Sequence, residues 1–138
     1  MSEFISQNVL LVALFLASGT MLIVPTVLKL VGGAGREVGT YEATKLMNAG
    51  TALVLDVRDN GEFNGGHIPK AKNIPMAEID KRVDEISRFK DKPVIVTCRA
   101  GGRAVVAVKR LQALGFVDVY VLEGGFPTWQ QAGLPVEK

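Results

Sequence analysis

The single cysteine of the chain, Cys98, stands in a setting that favours chemistry at its sulfur. It directly follows the most strand-like run of the sequence, 93–97 (PVIVT), and a helical apolar pattern begins a few residues later. Sites in open parallel sheets form at the carboxyl ends of strands, where the chain turns into the next helix. The position of Cys98 therefore predicts a nucleophile at a strand–loop–helix junction.

The loop after the cysteine adds positive charge and backbone donors. Gly101 and Gly102 let the chain fold tightly enough for successive N–H groups to converge on an anion. The helix that starts near Gly102 contributes its positive N-terminal end, and Arg99 and Arg103 contribute permanent charge. Together these features favour the thiolate of Cys98 over an inert buried thiol.

Alternating strand and helix patterns predict the scaffold that holds this loop. Short apolar runs alternate with amphipathic segments, which is typical of an α/β domain with a small parallel sheet covered by helices. The expected strands are 52–56, 93–97 and 117–122, and the expected helices begin at Thr40, cover 79–86 with Ile79, Val83 and Ile86 on one face, and cover 104–114 and 126–132.

Composition excludes several classes of protein. The chain has 138 residues with a formal net charge of +2, and its basic residues are spread out rather than gathered in a stripe. Nucleic acid is therefore not an expected partner. One cysteine and one histidine provide neither an internal disulfide nor the usual metal-ligand set. We therefore expect no metal site.

The beginning of the chain is strongly apolar. No charged residue occurs over 4–28, and about 20 apolar residues in a helix match a hydrocarbon core of about 30 Å. A cleaved signal peptide is the alternative, but it calls for a basic start and a shorter apolar core. The sequence therefore predicts one transmembrane helix at 4–30.

The residues after this segment predict a tether and an orientation. The stretch 31–39 contains four glycines and reads as a flexible linker to a domain at 40–138. Lys29 and Arg36 follow the apolar segment, and no basic residue precedes it. The positive-inside rule then predicts a single-pass protein of the bacterial inner membrane, with the C-terminal domain in the cytoplasm.

Several short motifs within the expected domain at 40–138 occur together and in order. The loop 98–103 has the form C-x-x-x-x-R, and the other matching segments are 55–58 (LDVR), Glu62-Phe63, 66–69 (GHIP), 71–75 (AKNIP), 122–125 (LEGG), Trp129 and 132–135 (AGLP). In this combination the chain resembles the rhodanese-like sulfurtransferases over 40–138.

The resemblance implies a function and roles for individual residues. Cys98 would take a sulfane sulfur from a donor such as thiosulfate or a persulfide and pass it to a thiol or protein acceptor. The substrate-binding loop would comprise Arg99, Ala100, Gly101, Gly102 and Arg103, with Arg58 lining the donor pocket. Asp56 and Glu62 would be supporting residues that orient Arg58 and the loop backbone. No cofactor is implied.

Two other functions stay open at this point. One is a persulfide carrier or protein-binding module with little turnover of small molecules. The other is a small phosphatase or arsenate reductase, whose related loops have five residues between cysteine and arginine. Four residues separate Cys98 from Arg103, which favours sulfur transfer.

Two further features have simple structural interpretations. His67, the only histidine, is expected to make a structural hydrogen bond rather than to act as a base. Gly124 and Gly125 are interpreted as turn residues only.

Overall fold

The structure is a computed structural model that describes residues 1–32, 36–99 and 102–138, including, in the first of these ranges, the side chains of 1–24. The chain divides into two compact units, Met1–Gly33 and Ala34–Lys138. Helices make up the described part of the first unit, and the second unit contains a sheet with helices around it.

The first unit consists of helix α1, Ser2–Gln7, and helix α2, Val9–Gly32. Two hydroxyl side chains lie in the part of α2 whose side chains the structure describes, 9–24, and both bond within the helix. The hydroxyl groups of Ser18 and Thr20 donate hydrogen bonds of 2.9 Å to carbonyl oxygens three residues earlier. Such local bonds satisfy hydroxyl groups that lie within an apolar helix.

The prediction of a membrane-spanning segment is wrong. Within 1–32, 36–99 and 102–138, no helix combines the length and the apolar character that crossing a bilayer requires. This finding contradicts the helix expected at 4–30 and the inner-membrane localisation that was based on it.

The second unit is built on a five-stranded parallel sheet in the order β1-β5-β4-β2-β3. Its strands are β1, Arg36–Val38; β2, Leu53–Asp56; β3, Lys72–Asn73; β4, Val94–Thr97; and β5, Val119–Leu122. The three central strands are continuous apolar runs, as expected where both faces of a sheet are covered. Because all strands run the same way, the carboxyl ends of β2, β4 and β5 lie side by side.

Helices cover the sheet on both faces. They are α3, Thr40–Asn48; α4, Asn60–Asn64; α5, Ile79–Arg82; α6, Gly102–Ala113; and α7, Gly125–Gln131, with 3-10 turns at Met76–Glu78 and Val83–Phe89. Val94, Val96 and Cys98 belong to one buried cluster, together with Ala107 of α6. Ile95 belongs to a second cluster that includes Trp129 of α7. The alternation places neighbouring residues of β4 on opposite faces of the sheet.

Two elements differ from what the sequence pattern predicts. The helix expected at 79–86 is a short α-helix, Ile79–Arg82, followed by the 3-10 segment Val83–Phe89. Ile79 and Ile86 are buried as expected. Within the range expected to be a linker, 31–39, the residues Arg36–Val38 form β1, while 33–35 lie outside the described residues.

Candidate active site

Cys98 lies immediately after β4, in the central part of the sheet. The residue is 1% exposed and belongs to the same apolar cluster as Val57 and Ala104. Its carbonyl oxygen accepts a hydrogen bond of 2.9 Å from the backbone N–H of Phe126. The backbone of the predicted nucleophile is thereby attached to the first turn of α7.

Gly125 makes this attachment sterically feasible. Its φ of +63° is unfavourable for residues with a side chain, and a Cβ atom there would collide with the carbonyl oxygen of Cys98. The sequence interpretation of Gly125 as a turn residue missed this close approach. The observation that could have revealed it is that β5 neighbours β4 in a parallel sheet, so the segments that follow the two strands meet.

The loop residues after Cys98 are partly described. Arg99 is exposed, whereas Ala100 and Gly101 lie outside the described residues, and the predicted anion-binding backbone there remains a prediction. Gly102 is the first residue of α6. Arg103 is 48% exposed, and its Nη1 atom lies 3.9 Å from Oε1 of Glu62.

Asp56 and Arg58 form a buried ion pair beside this loop. Nε of Arg58 donates to both carboxylate oxygens of Asp56 at 3.0 and 3.1 Å, and Nη2 donates to Oδ2 at 2.8 Å. Asp56 is 0% and Arg58 5% exposed. This two-pronged geometry is the strongest that a guanidinium–carboxylate pair adopts.

Further contacts hold the guanidinium of Arg58 in place. Nη2 also donates to the carbonyl oxygen of Gly66 at 2.7 Å, and the Phe126 ring centroid lies 4.2 Å from the guanidinium carbon. The side-chain amide of Asn73 bridges the carbonyl oxygens of Asp56 and Arg58 at 3.0 and 2.9 Å. Nη1 makes no hydrogen bond to the described residues. Nη1 is therefore the nitrogen of Arg58 that can donate a hydrogen bond to a ligand.

The two carboxylates that were predicted to support the site occupy different places. Asp56 lies against Arg58, as the preceding distances show, and it is the Cα partner of Thr97, the residue before Cys98. Glu62 lies instead against Arg103, the last residue of the loop. Asp56 thus supports the buried wall of the site, and Glu62 faces its exposed side.

An open cleft of about 350 Å³ brings several of these residues together. Its described lining consists of Arg58, Gly61, Glu62, Gly65, Gly66, Arg99, Phe126, Pro127 and Gln130. Two arginines and one carboxylate therefore line one surface, and one of the arginines, Arg99, directly follows Cys98 in sequence. Cys98 itself is not part of the described lining.

His67 has the structural role that the sequence suggests. Its Nδ1 atom lies 2.9 Å from the carbonyl oxygen of Phe63, and the two rings are stacked with centroids 3.7 Å apart. Its backbone also exchanges two hydrogen bonds of 2.8 Å with Glu137. These contacts fix the turn that carries Gly66, whose carbonyl oxygen holds Arg58.

Among residues 1–32, 36–99 and 102–138, no three His, Cys, Asp or Glu side chains lie close enough together to hold a metal ion.

Comparison with known proteins identifies the family. The model of the rhodanese-like domain matches residues 40–132. The chain belongs to the rhodanese-like domain family. A rhodanese-related protein from Thermoplasma volcanium has the same fold, with a TM-score of 0.65 and 31% sequence identity. The match covers 74% of this chain and 97% of that one, which supports the predicted α/β fold with a small parallel sheet.

Relatives of the rhodanese-like domain include a named sulfurtransferase. The protein with that name from Allochromatium vinosum is 36% identical over 92 residues, which is 67% of this chain and 84% of that protein. The uncharacterized protein YqhL of Bacillus subtilis is 41% identical over 78 residues, 56% of this chain. The match spans 60% of the length of YqhL.

Proposed function

We propose that this rhodanese-like domain is a sulfurtransferase that carries a sulfane sulfur on Cys98. The observation that carries the proposal is the position of Cys98 at the carboxyl end of β4. The next residue, Arg99, lines a cleft together with Arg58. Sulfane-sulfur donors are anions, and paired cationic donors beside a thiolate suit them.

The proposed reaction is a double displacement through a covalent intermediate. The Cys98 thiolate attacks the outer sulfur of thiosulfate, the S–S bond of the donor breaks, and its electron pair leaves with sulfite. Cys98 then carries a persulfide with one negative charge. An acceptor such as cyanide or a thiolate attacks the outer sulfur and regenerates the Cys98 thiolate, so that charge and electrons balance in both steps.

The residues of the loop are assigned supporting roles in this reaction. The N–H groups over 99–103 would stabilise the terminal sulfur anion of the persulfide, as an oxyanion hole stabilises an oxygen anion. Arg103, held near Glu62, would shape the end of the loop and attract the donor. Nη1 of Arg58 would donate to the donor from the buried wall of the cleft. The loop length, with four residues between Cys98 and Arg103, supports sulfur transfer over phosphate-ester or arsenate chemistry.

One observation favours a second function, that of a persulfide carrier or protein-binding module. The Cys98 side chain is 1% exposed, which restricts the approach of small donors and acceptors. A protein partner that reshapes the loop on docking would overcome this restriction. Such a module would load sulfur on Cys98 but would turn over thiosulfate and cyanide poorly.

The test is the intact mass of the full chain with and without thiosulfate, for the wild type and for Cys98→Ser. We expect a gain of one sulfur atom on the wild type alone, which cyanide removes. Circular dichroism of Cys98→Ser controls for the fold, since serine is close to cysteine in size. Sulfur transfer by Cys98→Ser would rule out the mechanism.

Steady turnover separates the candidate functions. The sulfurtransferase predicts continuous thiocyanate production from thiosulfate and cyanide, whereas the carrier predicts a single loading event. Appreciable hydrolysis of a phosphate ester or reduction of arsenate would instead support the phosphatase-like alternative.

A further inference from the structure

A second pocket, of about 290 Å³, lies apart from the cleft that Arg58 and Arg99 line. The two share no residue of their described linings. The lining of the second pocket includes Val54 and Trp129, which belong to the buried cluster between the sheet and the helices α3 and α7. Cys98 belongs to the other cluster, on the opposite face of the sheet. This pocket is therefore not part of the site described above.

The surface of this pocket is mostly apolar. Seven of its ten described lining residues are apolar, among them Met47, Trp129 and Leu134, so an apolar ligand group is favoured there. The indole Nε1 of Trp129 already donates a hydrogen bond of 2.8 Å to the carbonyl oxygen of Pro135, which leaves the ring as an apolar wall. At about 30 Å³ for each water-sized group, the volume suits an organic molecule of on the order of ten non-hydrogen atoms.

The polar residues of the lining favour an anion. They are Thr44, Asn48 and Lys70, and the described lining contains no Asp or Glu. The hydroxyl group of Thr44 donates to the carbonyl oxygen of Thr40 at 2.7 Å. The ammonium group of Lys70 makes no ion pair with any residue that the structure describes. The pocket thus combines an apolar body with one unpaired positive charge.

The backbone of Lys70 adds an independent reason to expect a role for its side chain. Its φ of +63° makes it the one non-glycine residue with a positive φ in the described part of the chain. Glycine adopts this conformation without strain, whereas a lysine there is strained, and such strain is concentrated at functional sites. The N–H of Lys70 donates to Oε2 of Glu137 at 3.1 Å, which holds the strained turn. The same carboxylate makes no ion pair with the Lys70 ammonium group.

We propose that this pocket is a binding site for a small carboxylic acid with an apolar body of about eight carbon atoms. The apolar body packs against Trp129, and the carboxylate pairs with the ammonium group of Lys70. Burial of the body supplies most of the affinity, and the charge selects the acid over neutral molecules of the same shape. The inference goes beyond the proposed function and does not depend on it.

The experiment is a fluorescence titration of the full chain. Trp129 is the only tryptophan in the sequence, so its emission reports directly on this pocket. The probes are phenylpropionate and its neutral amide, phenylpropionamide, which differ in charge but hardly in shape. We expect a saturable change with phenylpropionate and about 3–10-fold weaker binding of the amide, as suits one partly exposed ion pair.

Variants of Lys70 test the assigned charge. Lys70→Gln should reduce the preference for phenylpropionate over the amide to near one. Lys70→Gly should do the same without lowering Tm, because glycine relieves the strained backbone. Lys109 is the matched control, since it is an exposed lysine of α6 outside the described lining, and Lys109→Gln should keep the wild-type preference.

Two further measurements test the location. Ala52 lines the pocket and is only partly buried, so Ala52→Leu should occupy the space and prevent binding while Tm is maintained. Thiosulfate, which the proposed function directs to the cleft, should not displace phenylpropionate.

Four results would each overturn the inference. They are the absence of a saturable change in the wild type, equal affinity for the acid and the amide, a preference that survives in Lys70→Gln, and displacement of phenylpropionate by thiosulfate. Failure of sulfur loading on Cys98 would instead contradict the proposed function alone.

Discussion

The segments that follow β2 and β4 lie side by side but are built differently. At the end of β2, Asp56 and Arg58 are buried and satisfy each other through a two-pronged ion pair. After β4, the buried Cys98 is followed directly by the exposed Arg99. Arg103, which is half-exposed, comes four residues after Arg99. We call the first segment the fixed wall, because its charged side chains are buried and paired with each other. The segment after β4 instead keeps its charged side chains at the surface. The comparison teaches that neighbouring strand ends can place charge either in a rigid buried pair or at the exposed side of the same cleft.

The largest effect on stability is expected from breaking the fixed wall. Asp56→Asn removes the charge that balances the buried Arg58 while keeping the shape of the side chain. Removing one partner of a buried ion pair leaves an uncompensated charge, and we expect a loss of about 3–5 kcal/mol in the free energy of unfolding. Urea denaturation measures it.

Asp80→Asn is the matched control for this substitution. It makes the same chemical change in the ion pair with Arg110, whose side chains are 61% and 48% exposed. Pairs of this kind contribute about 0–1 kcal/mol. If both variants were destabilised equally, the distinction between the buried pair and an exposed pair would be lost.

The central elements are predictable from sequence because their patterns are local. The run 93–97 predicts β4, found as Val94–Thr97, and the stripe at 104–114 predicts α6, found as Gly102–Ala113. Apolar periodicity and flanking glycines mark such elements without knowledge of the rest of the fold.

Elements that exist only through tertiary pairing escape this reasoning. In β1, Arg36 and Glu37 are exposed and only Val38 is buried, so the sequence carries no strand pattern. The strand forms because its backbone pairs with Tyr120 and its neighbours in β5. The local sequence alone, rich in glycine nearby, indicates a linker.

The site shows the same limit. Family motifs identify Cys98, Arg58 and Glu62 as candidates in the right order, but they do not say which side chains meet. That Glu62 faces Arg103 and that Phe126 covers Arg58 depends on how separate loops converge at the sheet edge.

The next largest effect is expected at Gly125 of α7, which lies against the segment after β4. Gly125→Ala forces a left-handed backbone onto alanine, at about 1–2 kcal/mol, and places its methyl group against the carbonyl oxygen of Cys98. With an overpacking term of about 1–3 kcal/mol, we expect a destabilisation of roughly 2–5 kcal/mol and slower sulfur loading of Cys98. Urea denaturation measures the loss of stability. Intact mass of the chain, taken at successive times after thiosulfate is added, measures the rate of sulfur loading.

Gly133→Ala separates the two causes. Gly133 also has a left-handed φ, +72°, but no atom lies within 4 Å of a Cβ atom there. We therefore expect the backbone penalty alone and normal loading of Cys98. A loading defect of the same size in Gly133→Ala would mean that the close approach of Gly125 to Cys98 has no special importance.

The smallest effect is expected at β3, the edge strand that pairs with β2 beside the fixed wall. Glu85 bonds to Lys72 of β3 at 2.8 Å and to Arg82 at 2.7 Å, and the hydrogen bond from Arg82, then that from Lys72, lowers the pKa of Glu85 to about 2. Because the folded-state pKa lies below the usual value of 4.5, this contribution to stability is complete above that value and disappears as the pH falls towards 2. Glu85→Gln should therefore lower Tm slightly at neutral pH, with a difference that shrinks on acidification or in high salt, since the groups are exposed and screened. A Tm difference that stays constant across this pH range would show that the charge of Glu85 does not stabilise the contact with β3.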